Sequence, residues 1–281
     1  MQRSKGLQIR MLIHRVITYP LLMPAILGYK LTKNQRCLDV FYCGLDLYGC
    51  VSGSIRSMFH GIPKRNLRIA RYKGMSIIFP SREDPSFDDV WLREVYYPYL
   101  PRHEDIVFDV GAHMGFFTLK VAKQVKEVIA FEPDPQNFKF LLSNIKYNDL
   151  SNVKPFNQAL GDKDCDVFLK RGYGYGRTRT TESNTGYNVK MKTLDTVVKE
   201  LGIIPDVIKI DVEGSEIKVL DGAKSTLTRY KPQLIIASYH YSDEWKDIAK
   251  ILAGIGISCY VYEVPLALQK AREIYVYSKP S

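Results

Sequence analysis

Residues 106–132 constrain this chain more than any other stretch. They read I-V-F-D-V-G-A-H-M-G-F-F-T-L-K, then a short amphipathic segment, then V-I-A-F-E. An apolar run of strand length ends in Asp109, and Gly111 and Gly115 punctuate the turn that follows. A helical segment comes next, then a second apolar run that ends in Glu132. Strand, glycine turn, helix and acid-tipped strand form one βαβ half-unit built to hold a nucleoside. Gly111 lets the backbone turn tightly and approach a ligand, and Gly115 lets the helix start close to the sheet. Glu132 falls about 20 residues on, where a carboxylate can take both ribose hydroxyls.

The spacing narrows the ligand. A dinucleotide turn is G-x-G-x-x-G, with helix amides facing a pyrophosphate. Here the turn is D-x-G-x-x-x-G, with Ala112 where more glycine would be expected. Asp109 at the strand tip would repel a pyrophosphate and suits a cationic ligand. S-adenosylmethionine carries an ammonium and a sulfonium, so the turn reads as a methyl-donor site rather than a nicotinamide site.

The chain has 281 residues, enough for one α/β domain and an appendage. Its charge is uneven. Residues 1–73 hold thirteen Lys or Arg and two acids, a net of +11, while residues 74–281 carry a net of −1. An enzyme core that grips nucleic acid would carry its own basic groove, so nucleic acid is not the expected partner. Five scattered cysteines, the first three spaced C-x5-C-x6-C, fit no usual zinc or disulfide pattern. Reduced thiols in a cytoplasmic setting follow.

Three regions are expected. Residues 1–65 form a basic, partly apolar helical extension. Its uncharged run Val16–Tyr29 has 14 residues, flanked by basic ones and broken by Pro20 and Pro24. That is short of the roughly 20 residues that span a bilayer. Two readings stand. Residues 1–36 lie on an anionic membrane surface at the cytoplasmic face, or the extension caps the core or a second copy in a homo-oligomer. Residues 66–100 are a lead-in, with a hairpin around Lys73-Gly74 and a helix over 86–99. Residues 101–281 are the nucleoside-binding domain. Strands are predicted at 105–110, 127–131, 153–157, 206–211, 233–238, 257–263 and 273–278. Helices are predicted at 115–125, 135–148, 193–201, 214–229 and 243–254. This alternation implies a parallel sheet covered on both faces, and the final strand pair has no helix between it and should be antiparallel. Residues 162–192, rich in Gly, Thr, Tyr and Arg, read as a lid-like insertion.

A further constellation is I-K-I-D-V-E-G-S-E at 208–216. Its strand is expected to deliver Lys209 and Asp211 on alternate faces, with Asp211 and Glu213 at the carboxyl end. Asp109, Glu132, Asp211 and Glu213 should then gather at one rim, able to hold a cationic cofactor, act as a base or bind a metal. Glu216 is expected to favour the next helix through its dipole. The sequence shows no tight His/Asp spacing for a metal.

Several blocks in order resemble one family, the FkbM-type S-adenosylmethionine-dependent methyltransferases. They are F-D-V-G-A-H-M-G-F-F-T at 108–118, F-E-P-D-P-Q-N-F at 131–138, N-I-K-Y-N at 144–148, N-Q-A-L-G-D at 157–162 and M-K-T-L-D at 191–195. I-K-I-D-V-E-G-S-E at 208–216, V-L-D-G-A at 219–223 and K-P-Q-L-I-I at 231–236 continue the series. The resemblance covers about residues 100–240. It implies a class I methyltransferase fold, Rossmann-like α/β, with a seven-stranded, mostly parallel sheet of order 3-2-1-4-5-7-6. It implies methyl transfer from S-adenosylmethionine, commonly to a hydroxyl of a sugar or small metabolite.

By position, Asp109, Gly111, Ala112 and Gly115 would cradle the methionine part, with His113 packing the loop. Glu132 and Pro133 would meet the ribose, Gln158 and Ala159 the adenine, and Asp211 the methionine end or the acceptor. The family often has E-x-H after the fifth strand. Here the residues are S-Y-H, so Ser238 stands for the Glu and His240 remains. His240 is the first candidate base, its intrinsic pKa lying near neutrality, with Asp211 or Glu213 second. Competing functions are an RNA methyltransferase and a nucleoside-binding protein without activity.

Overall fold

The computed structural model describes residues 67–72, 74–80, 85–92, 95–96, 99–171, 178–181, 186–265 and 272–278. The basic extension, including Val16–Tyr29, lies outside the described residues. The chain divides into two compact units between Glu83 and Asp84. Within the first, β1 (Leu67–Tyr72) and β2 (Met75–Pro80) pair antiparallel as the expected hairpin. Gly74 at its turn has φ +76°.

The second unit is built on a seven-stranded sheet. Its first three strands are β3 (Ile106–Val110), β4 (Glu127–Phe131) and β5 (Val153–Phe156). β10 (Val207–Ile210), β11 (Gln233–Ala237), β12 (Cys259–Pro265) and β13 (Arg272–Ser278) complete it. The order is β12-β13-β11-β10-β3-β4-β5. β3, β4, β5, β10 and β11 run parallel, and β13 is antiparallel to both its neighbours. Counted from β3, this is the expected order 3-2-1-4-5-7-6. The central strands are near-continuous apolar runs because both faces are covered. Phe108, Ile129, Ile208, Ile210 and Ile236 form one buried core with Leu220, Leu227 and Leu252 from the helices.

Capping residues set the helix ends. α1 (Phe116–Ala122) starts at Gly115, whose φ is 87°. α2 (Pro135–Tyr147) has Asp134 as N-cap, accepting from the amides of Gln136 and Asn137 at 2.8 and 3.2 Å, with Pro135 in the first turn. α3 (Leu194–Leu201) is capped by Thr193 and closed by Gly202 at φ 64°. α6 (Glu244–Gly254) precedes β12.

Two expected helices differ. Residues 214–229 form α4 (Glu216–Asp221) and α5 (Lys224–Tyr230) rather than one helix. A Cβ at Gly222 would lie 1.9 Å from the Gly161 carbonyl oxygen, so the chain makes a backbone-to-backbone approach there. The Asp195 carboxylate accepts from the amides of Ser225 and Thr226 at 2.9 and 2.7 Å, capping α5 from another helix. The expected helix over 86–99 is reduced to Pro85–Phe87 and a π-helical turn at Asp88–Leu92. Aromatic anchoring governs this segment. Tyr99 is buried and donates to the Asp105 carboxylate at 2.9 Å, and Tyr96 packs edge-on against Phe117.

Much of 162–192 is sheet. β6 (Ala159–Leu160), β7 (Cys165–Arg171), β8 (Thr178–Thr181) and β9 (Tyr187–Lys192) form a four-stranded sheet of order β6-β9-β7-β8. Leu169, Val189, Met191 and Ala159 make its small core. Residues 172–177 and 182–185, which carry most of the Tyr-Gly repeat, lie outside the described residues. Among the described residues no helix is long and apolar enough to cross a membrane.

Asp164, just before β7, ties this sheet to α3. Its carboxylate accepts from the Thr193 amide at 2.7 Å and the Thr196 hydroxyl at 2.9 Å, which hold its pKa below the ordinary value. A carboxylate with a depressed folded pKa stabilises the fold above its unfolded pKa, and the contribution is lost as pH falls through the folded one. Asp164→Ala is therefore expected to lower the thermal midpoint at neutral pH. The deficit should close in acid, as scanning calorimetry across pH would show.

Candidate active site

The carboxyl ends of the parallel strands open onto a cleft of about 1070 Å³, its open mouth included. Gly111, Ala112, His113, Glu132, Pro133, Gln158, Ala159, Asp211 and Glu213 line it. The glycine turn depends on a close approach. A Cβ at Gly111 would lie 1.9 Å from the Asp211 carbonyl oxygen, and the residue has φ +80°. The amides of Gly111 and Ala112 both donate to the Phe131 carbonyl, at 3.0 and 2.9 Å. The ends of β3, β4 and β10 are thereby pinned together. At Gly115 a Cβ would lie 2.7 Å from Leu141 Cδ1, so the start of α1 rests close on α2.

Asp109 is fully buried. Thr118 donates to its Oδ2 at 2.6 Å, and Lys209 Nζ lies 3.1 Å from its Oδ1. Its charge, expected to face a cationic ligand, is answered inside the protein. Lys209 also donates to the Gly111 carbonyl at 2.7 Å, so one ammonium holds the strand tip and the turn together. Lys209 and Asp211 both line the cleft, which corrects their expected placement on alternate faces. Residues two apart on a strand share a face.

Glu132 is 5% exposed at the end of β4. Its Oε2 accepts from the His113 amide at 2.7 Å and its Oε1 from the Asp134 amide at 2.8 Å. Burial raises its pKa, and the His113 side chain and these amide bonds oppose the rise. The backbone thus fixes both oxygens, and their other lone pairs remain for ligand hydroxyls. The His113 ring packs edge-on against Phe116 at 5.7 Å, as loop packing requires. Across the cleft the Gln158 Nε2 is buried without a hydrogen-bond partner.

A second cluster lies where β10 and β11 end. Asp211 Oδ2 accepts from the Tyr96 hydroxyl at 2.8 Å. Glu213 sits in a left-handed conformation, φ 58°, followed by Gly214 at φ 95°. The His240 side chain is 5% exposed. Its Nε2 lies 3.7 Å from Asp211 Oδ1 and 3.8 Å from Glu213 Oε2. Its Nδ1 lies 3.3 Å from Glu216 Oε1 and 3.5 Å from Glu244 Oε2. Burial alone would lower the His240 pKa, but Glu244, Asp211, Glu216 and Glu213 together push it up to about 9. That direction favours the charged imidazole, unlike the near-neutral base its residue type suggests. Ser238, where the family often has Glu, is buried. The acids nearest Nδ1 come instead from Glu216 and Glu244. Glu216 also accepts from the Val212 amide at 2.9 Å, a local hydrogen bond beyond any helix-dipole role.

Sequence reasoning did not single out Tyr96, Tyr239, Tyr275 or Leu169, which also line the cleft. Tyr275 meets Tyr96 and Tyr239 edge to face at 5.5 and 5.6 Å, an aromatic wall beside Asp211. The I-Y-V-Y alternation of β13 was the available signal. It places Tyr275 and Tyr277 on one face, and both are buried.

Strand order, glycine turn and acid-tipped β4 together define a class I methyltransferase fold with a nucleoside-type cleft. Residues 109–259 match the model of the methyltransferase FkbM domain, and the chain belongs to that family. It is 28% identical over 158 residues to the hexuronic acid methyltransferase AglP of Haloferax volcanii, covering 55% of this chain and 64% of that protein. It is 25% identical over 145 residues to Methyltransferase 1 of Beauveria bassiana, covering 42% of this chain and 58% of that one. The chain thus spans less than two thirds of either relative. Among solved structures it is similar to methyltransferase FkbM from Methylobacillus flagellatus, with a TM-score of 0.51 and 19% identity. That match covers 64% of this chain and 45% of the other.

Removing Lys209 should expose its structural role. Lys209→Met leaves the buried Asp109 charge unpaired and is expected to cost about 3–5 kcal/mol in chemical denaturation. Asp109→Asn in the same chain should recover part of the loss.

Proposed function

We propose that this protein transfers a methyl group from S-adenosylmethionine to an oxygen of a sugar-type acceptor on a glycan, a glycolipid or a small metabolite. The observation that carries the reading is Glu132. It is buried at the tip of β4, anchored by two backbone amides and turned to the cleft, as ribose recognition requires. Gly111 and Ala112 take the methionine part, with His113 and Pro133 at the edges of the site. Gln158 and Ala159 take the adenine, where the unpartnered Gln158 amide finds a ring nitrogen. Asp109 and Gly115 act from behind, one through Lys209 and the other by letting α1 start against α2.

Methyl transfer is an in-line displacement at carbon. The acceptor oxygen must sit about 3 Å from the methyl carbon, opposite the sulfur, so positioning supplies much of the acceleration. Asp211 and Glu213 line the cleft and are the proton acceptors that position favours. His240, whose Nε2 lies 3.7 and 3.8 Å from their carboxylates, orients them. Name-level similarity to a hexuronic acid methyltransferase supports a sugar acceptor, and so does the tyrosine wall, which offers flat apolar faces beside polar groups. The near-neutral charge of residues 74–281 does not favour nucleic acid. Residues 1–36, basic and partly apolar, would bring the enzyme to anionic lipid on the cytoplasmic face.

Calorimetric titration with S-adenosylmethionine tests the reading. Wild type should bind, and Glu132→Ala should weaken binding at least about 100-fold, since two hydrogen bonds to a charged group are each worth about 1.5–3 kcal/mol. A wild type that does not bind would remove the methyl-transfer reading. Deleting residues 1–36 should abolish co-sedimentation with anionic vesicles while leaving donor binding intact.

A further inference from the structure

We infer that Asp211, Glu216 and His240 form a divalent-cation site of the Mn²⁺ or Mg²⁺ type beside the cleft. One donor atom from each lies within 4.8 Å of the others. An octahedral ion with bonds of about 2.1 Å places its donors about 3–4.2 Å apart, so small side-chain shifts would close this set on a metal.

The independent observation is His240. It is 95% buried by its 5% exposure and aimed into the cluster, yet neither ring nitrogen has a hydrogen-bond partner. Four carboxylate oxygens stand at 3.3 to 3.8 Å from it, none placed to accept a well-formed bond. Buried polar atoms of native proteins are normally satisfied, and a buried ring with neither nitrogen bonded calls for a ligand. Charge agrees. Four carboxylates surround one imidazole. A divalent cation would offset that excess of negative charge.

The supports of the donors are also in place. Tyr96 holds Asp211 Oδ2 and leaves Oδ1 toward His240. The Val212 amide holds Glu216 Oε1. Glu244 accepts the His240 backbone amide at 2.9 Å and fixes the segment that carries the ring. Such outer contacts orient metal ligands. The role of the ion rests on the methyl-transfer reading above. An acceptor hydroxyl on its open side would lose its proton to Glu213. The oxygen would bond the methyl carbon, and the carbon–sulfur pair would leave on sulfur.

The test uses the full chain, freed of metal with EDTA and titrated with Mn²⁺ while electron paramagnetic resonance reads the free ion. The expected result is about one Mn²⁺ bound per chain, weakened at least about tenfold by Glu216→Gln and by His240→Asn. Circular dichroism confirms that each variant is folded, and Asp211→Asn, at the cleft-lining donor, serves if either is not. No binding by wild type up to about 1 mM Mn²⁺ overturns the site, as does unchanged binding by folded variants. S-adenosylmethionine binding, followed separately on the wild-type sample, fails only if the methyl-transfer reading fails.

Discussion

The Lys209 ammonium holds this fold at its centre. It lies in the middle of the sheet, on β10 beside β3, and reaches both Asp109 and the Gly111 carbonyl. A buried ion pair is not a reliable source of stability, because desolvation offsets most of its Coulombic gain. Its effect here is geometric. It sets the glycine turn against the end of β10 at a distance that admits no Cβ, and so aligns the donor half of the cleft with Asp211. Glu132 depends on the same turn, since one of its two anchoring amides belongs to His113.

The donor half was legible in sequence because it is local. Asp109, the two glycines and Glu132 come from one strand–turn–helix–strand segment, whose apolar periods and turn residues specify their own arrangement. Alternation with helices implied the parallel sheet and its antiparallel final pair, while the strand order came from the family resemblance. Helix length was less legible where a distant contact decided it. Nothing near Gly222 announces that Gly161 passes beneath it, nor that Asp195 will cap α5. The lead-in segment failed similarly. Its helical pattern gave way to Tyr96 and Tyr99, whose hydroxyls find carboxylates elsewhere.

The acceptor side was less legible. His240 and Asp211 were recognisable as candidates, but not that Glu216 and Glu244 would crowd the same ring from two helices. Residue type alone suggested a histidine poised near neutrality. The surrounding acids shift it upward instead, because charge within a cluster outweighs intrinsic preference. Asp109 shows the same limit in reverse. An acid at a strand tip looks like a ligand group until a lysine from the next strand is seen to pair with it.

The position of β13 governs the order in which the molecule can be completed. It follows β12 in the chain yet lies between β12 and β11, and β12 pairs with no other strand of its sheet. β12 therefore waits without a docking edge until β13 has been made and inserted. β3, β4, β5, β10 and β11, which carry the donor half, need neither. The part of the cleft lined by β3, β4 and β10 is thus independent of that closing pair, and only the wall formed by Tyr275 waits on the last of the described strands.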